Sequence, residues 1–327
     1  MKAIVTGANG FVGSHLVERL VKEGLQVVCL VRPTSDRTWI RDRPVEIRAE
    51  GLDRVEGLAH AMAGADYVFH VAGLTRGRTA EEYMAANAET TWRVVEAARR
   101  CGPAIRRFVY VSSLAAVGPN PSASPLDETA ATQPLDPYGR SKLAGEQIVM
   151  AAGDRMPVTI VRPPGVYGPR DTSFLPLFRM ARRLGIVSAI RGGAQQVTLV
   201  HAEDLAKGLW LAASCPAAGQ TYFIGSGTHT MTELAAAMSS AMGRRLRLVH
   251  VPRLVAILAG EIGQLKWALT GRPQILSRRK VRDLLQERWT CSWAKARREL
   301  GYEPAVGLVE GLRQTAEWYV RQGWLRA

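Results

Sequence analysis

Cysteine is scarce in this chain of 327 residues: Cys29, Cys101, Cys215 and Cys291 stand far apart, and no two share a C-x-x-C spacing. That argues against a structural zinc site or a disulfide framework and leads to the expectation of a reduced, cytoplasmic setting. Lysine is also rare, 7 of the 43 basic residues, so the chain relies on arginine for its formal charge of +14. Most of that excess lies late: residues 244 to 327 hold 17 Lys and Arg against 7 Asp and Glu. Such a region attracts phosphate or an acidic membrane. No aromatic-interleaved basic run or recognised motif accompanies it, so no nucleic-acid partner is expected. Internal repeats and low-complexity segments are missing too. The opening MKAIVTGANG reaches glycine too soon for a charged leader and an apolar signal core, and no export is expected. One segment, PRLVAILAGEIGQLKWALTG at 252 to 271, is unusually apolar, yet Arg253, Glu261 and Lys266 interrupt it and it is short for a membrane span. It reads as a core helix, with a greasy lid or a membrane-facing patch as the alternatives.

What is present is the composition of a folded globular chain of one or two domains, 47% hydrophobic and 22% charged. Short β-branched runs alternate with helical patterns: KAIVT, then a helix over 11 to 23, QVVCLV, a helix near 53 to 62, YVFHVA, a helix over 81 to 100, RRFVYVSS, a helix over 138 to 152, and PVTIVRP. Continuous apolar strands separated by amphipathic helices predict a parallel sheet covered on both faces, a doubly wound α/β Rossmann fold. After Arg162 the pattern breaks at Pro163-Pro164-Gly165 and helices dominate. The expected division is a dinucleotide-binding domain at 1–165 and a smaller, mostly helical substrate lobe at 166–327, with 200–225 returning to the Rossmann core.

TGANGFVG, residues 6 to 13, follows the first strand and opens a helix. Gly7, Gly10 and Gly13 permit a tight turn that brings backbone N–H groups, Phe11 and Val12 among them, against a pyrophosphate at the helix N-terminus. At the end of the second strand an NAD site usually places an acid on the ribose hydroxyls, but here Val31 and Arg32 stand. An arginine there can pair with a 2′-phosphate, with Arg37 as a second donor. NADP(H) is therefore expected, and NAD(H) is the alternative.

In DPYGRSKLAGEQIVM, Tyr138 and Lys142 fall at i and i+4 on one helical face just after a turn-forming Asp-Pro pair. An unperturbed tyrosine, pKa about 10, is only about 0.1% ionised at pH 7. A lysine charge about 4 Å away contributes roughly 4 kcal/mol at an effective dielectric of ~20. That would bring the phenol as low as about 7 before burial opposes it. The expectation is a tyrosine poised to exchange a proton near neutral pH.

TGANGFVG, Y-x-x-x-K at 138 to 142, the Ser112-Ser113 pair closing the fifth strand, Asn87 in the helix before it, RPPGVYGP at 162 to 169 and VHAEDLA at 200 to 206 together resemble the extended short-chain dehydrogenase/reductase superfamily, over essentially the whole chain. The resemblance implies that Tyr138 is the general acid/base, that Lys142 holds the nicotinamide ribose, and that Ser113 hydrogen-bonds the reacting oxygen, with Ser112 as the fallback. It implies that Asn87 orders a relay water, against a buried asparagine satisfied by backbone. It also implies cofactor contacts from Ala72, Gly73, Pro163 and Val166, and a homodimer. No metal is expected, since His70 and His201 lack partners at ligand spacing.

Three departures separate this chain from the common pattern. Ala49-Glu50-Gly51-Leu52-Asp53 replaces Gly-Asp-Leu at the third strand, Val117 replaces a tyrosine, and Val197-Thr198-Leu199 replaces the R-D-F segment whose arginine grips the nucleotide diphosphate in many sugar-nucleotide epimerases. The expected function is an NADP(H)-dependent oxidoreductase interconverting an alcohol and a ketone on a fairly apolar small molecule. A nucleotide-sugar epimerase or dehydratase with tightly held NAD is the alternative, and a non-catalytic dinucleotide sensor a third reading.

Overall fold

A computed structural model describes residues 1–271 and 277–326. Strand β1 (Lys2–Thr6) holds Ala3, Ile4 and Val5 without exposed surface, as a strand inside a sheet covered on both faces must. There follow α1 (Phe11–Lys22), β2 (Gln26–Leu30), β3 (Glu46–Arg48), α2 (Val55–Met62) and β4 (Tyr67–His70). The helical pattern over 81 to 100 is divided into α3 (Ala80–Met84) and α4 (Thr90–Arg100), joined by a π-helical turn at Ala85–Glu89. Then come β5 (Arg107–Val111), α5 (Pro137–Met150), β6 (Val158–Arg162), β7 (Gly165–Tyr167), α6 (Leu175–Leu184), β8 (Ile186–Ile190), β9 (Gln196–His201), α7 (Ala202–Ser214) and β10 (Gln220–Phe223). The chain closes with β11 (Gly227–Thr230), α8 (Met231–Ala241), β12 (Arg247–Val251), α9 (Arg253–Thr270), α10 (Arg278–Leu284), β13 (Arg288–Trp289), α11 (Ala294–Leu300) and α12 (Leu308–Arg321).

The main sheet is parallel throughout, in the order β10-β6-β5-β4-β1-β2-β3. Its strand order reverses at β1, so a crevice opens at the carboxyl ends of β1 and β4, where such sheets take their ligands. One core fills the face under α1 and α7, with Leu16, Leu20, Leu205 and Leu209, and a second fills the face under α2, α4 and α5, with Leu58, Val94 and Val149. A smaller sheet places β9 between β11 and β13, with β7 also paired to β9, while β8 pairs β12. A third core around Phe178, Met238, Leu312 and Tyr319 ties α6, α8 and α12 together.

The segment read as a core helix forms α9, but not as a core element. It buries Ala256, Gly260, Gly263 and Trp267 and leaves Leu254, Val255, Leu258, Ile262, Leu265 and Leu269 exposed. The reason is its small-residue side: a Cβ on Gly260 would stand 2.8 Å from Val281 Cγ2, so α10 approaches too closely for large side chains, and the aliphatic ones face outward.

Candidate active site

The glycine turn after β1 is shaped by contacts that only missing side chains allow. Gly7 adopts φ +67°, and a Cβ there would stand 2.7 Å from the Ala72 nitrogen; one on Gly13 would stand 2.1 Å from the Gly7 oxygen. The turn closes through Gly10 N–H donating to the Gly7 carbonyl at 3.0 Å. Gly10 caps α1 with no side-chain hydrogen bond, and no acid occupies the first turn. The amides at Phe11 and Val12 and the positive end of the helix dipole are thus left for an anion, which is what a dinucleotide pyrophosphate requires. Beneath them Ala72 N–H donates to Thr6 Oγ1 at 3.2 Å, and His70 bridges Thr6 (2.7 Å) and Thr91 (3.0 Å). Burial, aided by the Lys142 charge, pushes the His70 imidazole down to about 3, so it is a neutral structural link.

At the end of β2, Arg32 is exposed, and among the described residues its guanidinium makes no hydrogen bond or ion pair. Arg37 is half-buried nearby, and Asn9 Nδ2 ties the glycine turn to the same loop through the Asp36 carbonyl at 3.1 Å.

Asp136 starts α5: its carboxylate accepts from Gly139 N–H at 2.7 Å, and Pro137 takes the first helical position, where its missing N–H costs nothing. This sets Tyr138 on the first turn, half-buried. Ser113, at the end of β5, caps a short helical turn by accepting from Ala115 N–H at 3.1 Å and interacts with the Tyr138 phenol. Ser112 is buried, with an Oγ that has no partner among the described residues. Burial raises the Tyr138 pKa, the Ser113 hydroxyl and the Arg279 charge oppose it, and burial prevails.

The expectation that Lys142 pulls the phenol toward neutrality is thereby corrected. Lys142 Nζ donates to the Val111 carbonyl at 2.6 Å and lies 4.4 Å from the Tyr110 ring centre. Burial pushes the Lys142 amine down to about 7, against the pull of Glu146 one turn on. The cation at Tyr138 is Arg279, 4.9 Å from the ring centre. Its guanidinium pairs with Asp136 and donates to Thr75 O (2.6 Å) and Tyr83 Oη (2.8 Å). Behind Lys142, Arg162 and Glu146 form a buried two-bond ion pair at 2.8 and 2.6 Å.

Asn87 sits in the π-helical turn, a distortion often found at functional sites. Its Nδ2 donates to Leu74 O (3.0 Å) and Ser141 Oγ (2.9 Å), and its Oδ1 accepts from Leu74 N–H (2.6 Å). Both amide hydrogens are spent, one on the loop after β4 and one on Ser141 of α5, leaving one lone pair for water. Gly73 lies against this group: a Cβ there would stand 2.9 Å from Asn87 Oδ1 and 3.7 Å from Lys142 Nζ. The Pro163 carbonyl accepts from Leu114 N–H at 2.9 Å, and Val166 pairs with Val200. His201 packs at 5.4 Å from the Tyr167 ring.

Contacts thus link Gly7 to Ala72, Gly73 to Asn87 and Lys142, and Ser113 to Tyr138 around the carboxyl ends of β1, β4 and β5, while Arg32 and Arg37 stand after β2. Reading the sequence missed Arg279 and the Glu146–Arg162 pair. Glu146 carried one signal, its i+4 spacing from Lys142; Arg279, 141 residues after Tyr138, carried none. Val197 pairs in register with His229 and Trp289 and packs on the third core.

Residues 3–225 match the sequence profile of the NAD dependent epimerase/dehydratase family. The chain is 34% identical over 323 residues to the ceramide reductase of Caulobacter vibrioides, covering 98% of this chain and 95% of that protein. It is 30% identical over 318 residues to the 4-hydroxy-2-methyl-3-oxo-4-farnesyl-3,4-dihydroquinoline-1-oxide ketoreductase of Stigmatella aurantiaca, covering 95% of each. The structure of MoeE5 in complex with UDP-glucuronic acid and NAD aligns over 98% of this chain and 100% of its own, with a TM-score of 0.77 and 26% identity.

Proposed function

The chain belongs to the NAD dependent epimerase/dehydratase family, within the extended short-chain dehydrogenases/reductases, and is an NAD(P)-dependent oxidoreductase; on that premise we propose that it uses NADP(H) to interconvert ketone and alcohol on a largely apolar, long-chain small molecule. The observation that carries the substrate reading is Val197. A buried diphosphate there would lose a charged hydrogen bond while still being desolvated, whereas an aliphatic chain meets an apolar strand. The ceramide and farnesyl groups in the names of the two reductases point the same way.

Bound at the glycine turn, the nicotinamide cofactor supplies the hydride. Tyr138 does the proton work: its pKa is raised, so the phenol is neutral and suited to protonate a carbonyl oxygen as it gains negative charge. Ser113 hydrogen-bonds the same oxygen. Lys142, fixed by the Val111 carbonyl, holds the ribose, and Asn87 keeps the loop at Gly73 from closing on that position. Arg32, free at the end of β2, takes the 2′-phosphate.

Tyr138→Phe is expected to lower turnover at least about 10²-fold, the scale of general acid/base help, with cofactor affinity kept; near-normal turnover on a ketone panel rejects the assignment. Arg32→Ala is expected to weaken NADPH by about 10- to 150-fold, the equivalent of one charge-assisted contact of roughly 1.5 to 3 kcal/mol, and to leave NADH unchanged. Equal affinity of the parent protein for the two cofactors would remove the NADP(H) reading. Tight UDP binding, or sugar epimerisation without net NADPH change, would favour the sugar-nucleotide chemistry that MoeE5's bound UDP-glucuronic acid represents.

A further inference from the structure

Helix α9 exposes one aliphatic stripe. Leu254, Leu258, Ile262, Leu265 and Leu269 are spaced by 4, 4, 3 and 4 residues, so they share a face, and they are 73, 61, 55, 61 and 77% exposed. At 1.5 Å per residue the stripe is about 22 Å long. Single exposed leucines are ordinary; five in a row on one helix mark an interaction surface. Among the described residues no helix is long and apolar enough to cross a membrane, so α9 can lie on one but not span it.

The helix and the chain leading into it carry an excess of positive charge. Between 244 and 271, Arg244, Arg245, Arg247, Arg253 and Lys266 face a single acid, Glu261, and Arg278 neutralises that acid at 2.5 Å. Between α9 and α10 a cleft of about 490 Å³ is lined by Arg253, Arg282 and the paired Arg278 and Glu261. Neither Arg253 nor Arg282 makes an ion pair among the described residues. Two unpaired guanidiniums beside an apolar stripe complement a phosphate headgroup above acyl chains. A second copy of this chain complements neither: it brings another +14 of charge, and stripe against stripe would set Arg253 and Lys266 against the same cations. The stripe also adjoins the active site. Gly271, which ends α9, accepts from Arg78 Nη2 at 2.7 Å in the loop before α3, and α10, packed on α9, carries the Arg279 that lies over Tyr138.

We infer that α9 docks in plane on an anionic phospholipid bilayer, its aliphatic stripe in the headgroup boundary and its arginine cleft on a lipid phosphate, so that the active site meets a long-chain substrate at the membrane surface. The docking stands on this surface alone; its purpose rests on the substrate class proposed above.

Sedimentation of the full chain with phosphatidylcholine vesicles, with and without phosphatidylglycerol, tests it. The parent is expected to bind phosphatidylglycerol vesicles at least about tenfold more strongly, as unpaired arginines at an anionic surface require. Leu258→Gln, Ile262→Gln and Leu265→Gln together should cut partition at least about 10²-fold, since each withdraws an apolar side chain from burial. Arg253→Gln with Arg282→Gln should remove only the part that depends on phosphatidylglycerol. The triple variant should still reduce a short, water-soluble ketone as the parent does, while losing a long-chain ketone presented in vesicles. A parent that stays in the supernatant, or a triple variant that sediments like the parent, overturns the inference. So does a parent dimer in size-exclusion chromatography that the triple variant breaks, because a second copy then covers the stripe. Vesicle binding without reduction of any ketone leaves the docking intact and rejects the substrate reading.

Discussion

Replacing Glu146 by Gln separates the two duties of the buried charges behind the site. In the parent, Glu146 accepts two hydrogen bonds from Arg162 at 2.8 and 2.6 Å, with side chains only 5 and 9% exposed. The glutamine keeps the shape and one acceptor but leaves Arg162 as a buried cation in the same apolar surroundings as Lys142. Removing one partner of such a pair costs about 3 to 5 kcal/mol, and the retained acceptor puts the loss at the lower end. At about 2 °C per kcal/mol for a long chain, the melting temperature should drop by about 6 °C. Calorimetry on the purified variant reads this directly. A second readout is specific to Lys142: burial lowers its amine to about 7 and Glu146 alone opposes this, so without that carboxylate the amine should lose its proton at still lower pH. Cofactor affinity should then decline from a lower pH than in the parent. Glu146→Leu with Arg162→Met should recover most of the stability, because two apolar side chains leave no stranded charge. A Glu146→Gln melting temperature within about 1 °C of the parent's would show that water reaches the pair, and the reasoning would fail.

Arg279 lowers the Tyr138 pKa against burial, so Arg279→Leu should raise the pH at which the phenol ionises and cut kcat/KM by about tenfold, with Arg279→Lys restoring part of both; a pH profile unchanged in Arg279→Leu would remove Arg279 from the positioning of Tyr138. Stability should fall on acidification. Burial holds His15 and His201 at about 4 and His70 at about 3, so the unfolded chain protonates first, near 6.5, and stability present above that pH is lost as pH drops toward those values. Between pH 7 and 6 about half a proton on each of three imidazoles amounts to about 2 kcal/mol. Asp283, raised to about 6 by burial, works in the opposite sense mainly below that window and offsets only a small part of it. A melting temperature flat from pH 7 to 6 would contradict the neutral assignment. Gly145→Ala should destabilise the site, because its Cβ would stand 2.2 Å from Tyr110 Oη; an unaltered melting temperature would show that Tyr110 can move aside.

What depends on near neighbours in the chain was legible from the order of residues. Alternation of apolar runs and amphipathic stretches sufficed for a parallel sheet, because a strand buried on both faces must be apolar throughout. The glycines at 7 and 13 prescribed the turn, since no side chain fits there, and Asp136-Pro137 prescribed the helix start that puts Tyr138 and Lys142 one turn apart. Tertiary structure alone decided the electrostatics. The Tyr138 phenol is governed by burial, by Ser113 in the turn after β5 and by Arg279 on a distant helix, none of which a local spacing encodes. Lys142 does not set the phenol, because its Nζ is held on the Val111 carbonyl and burial lowers its amine to about 7. The side of α9 that faces inward was likewise undecided by composition: both its faces are apolar, and the close approach of α10 at Gly260 turned the side with Ala256, Gly260, Gly263 and Trp267 inward.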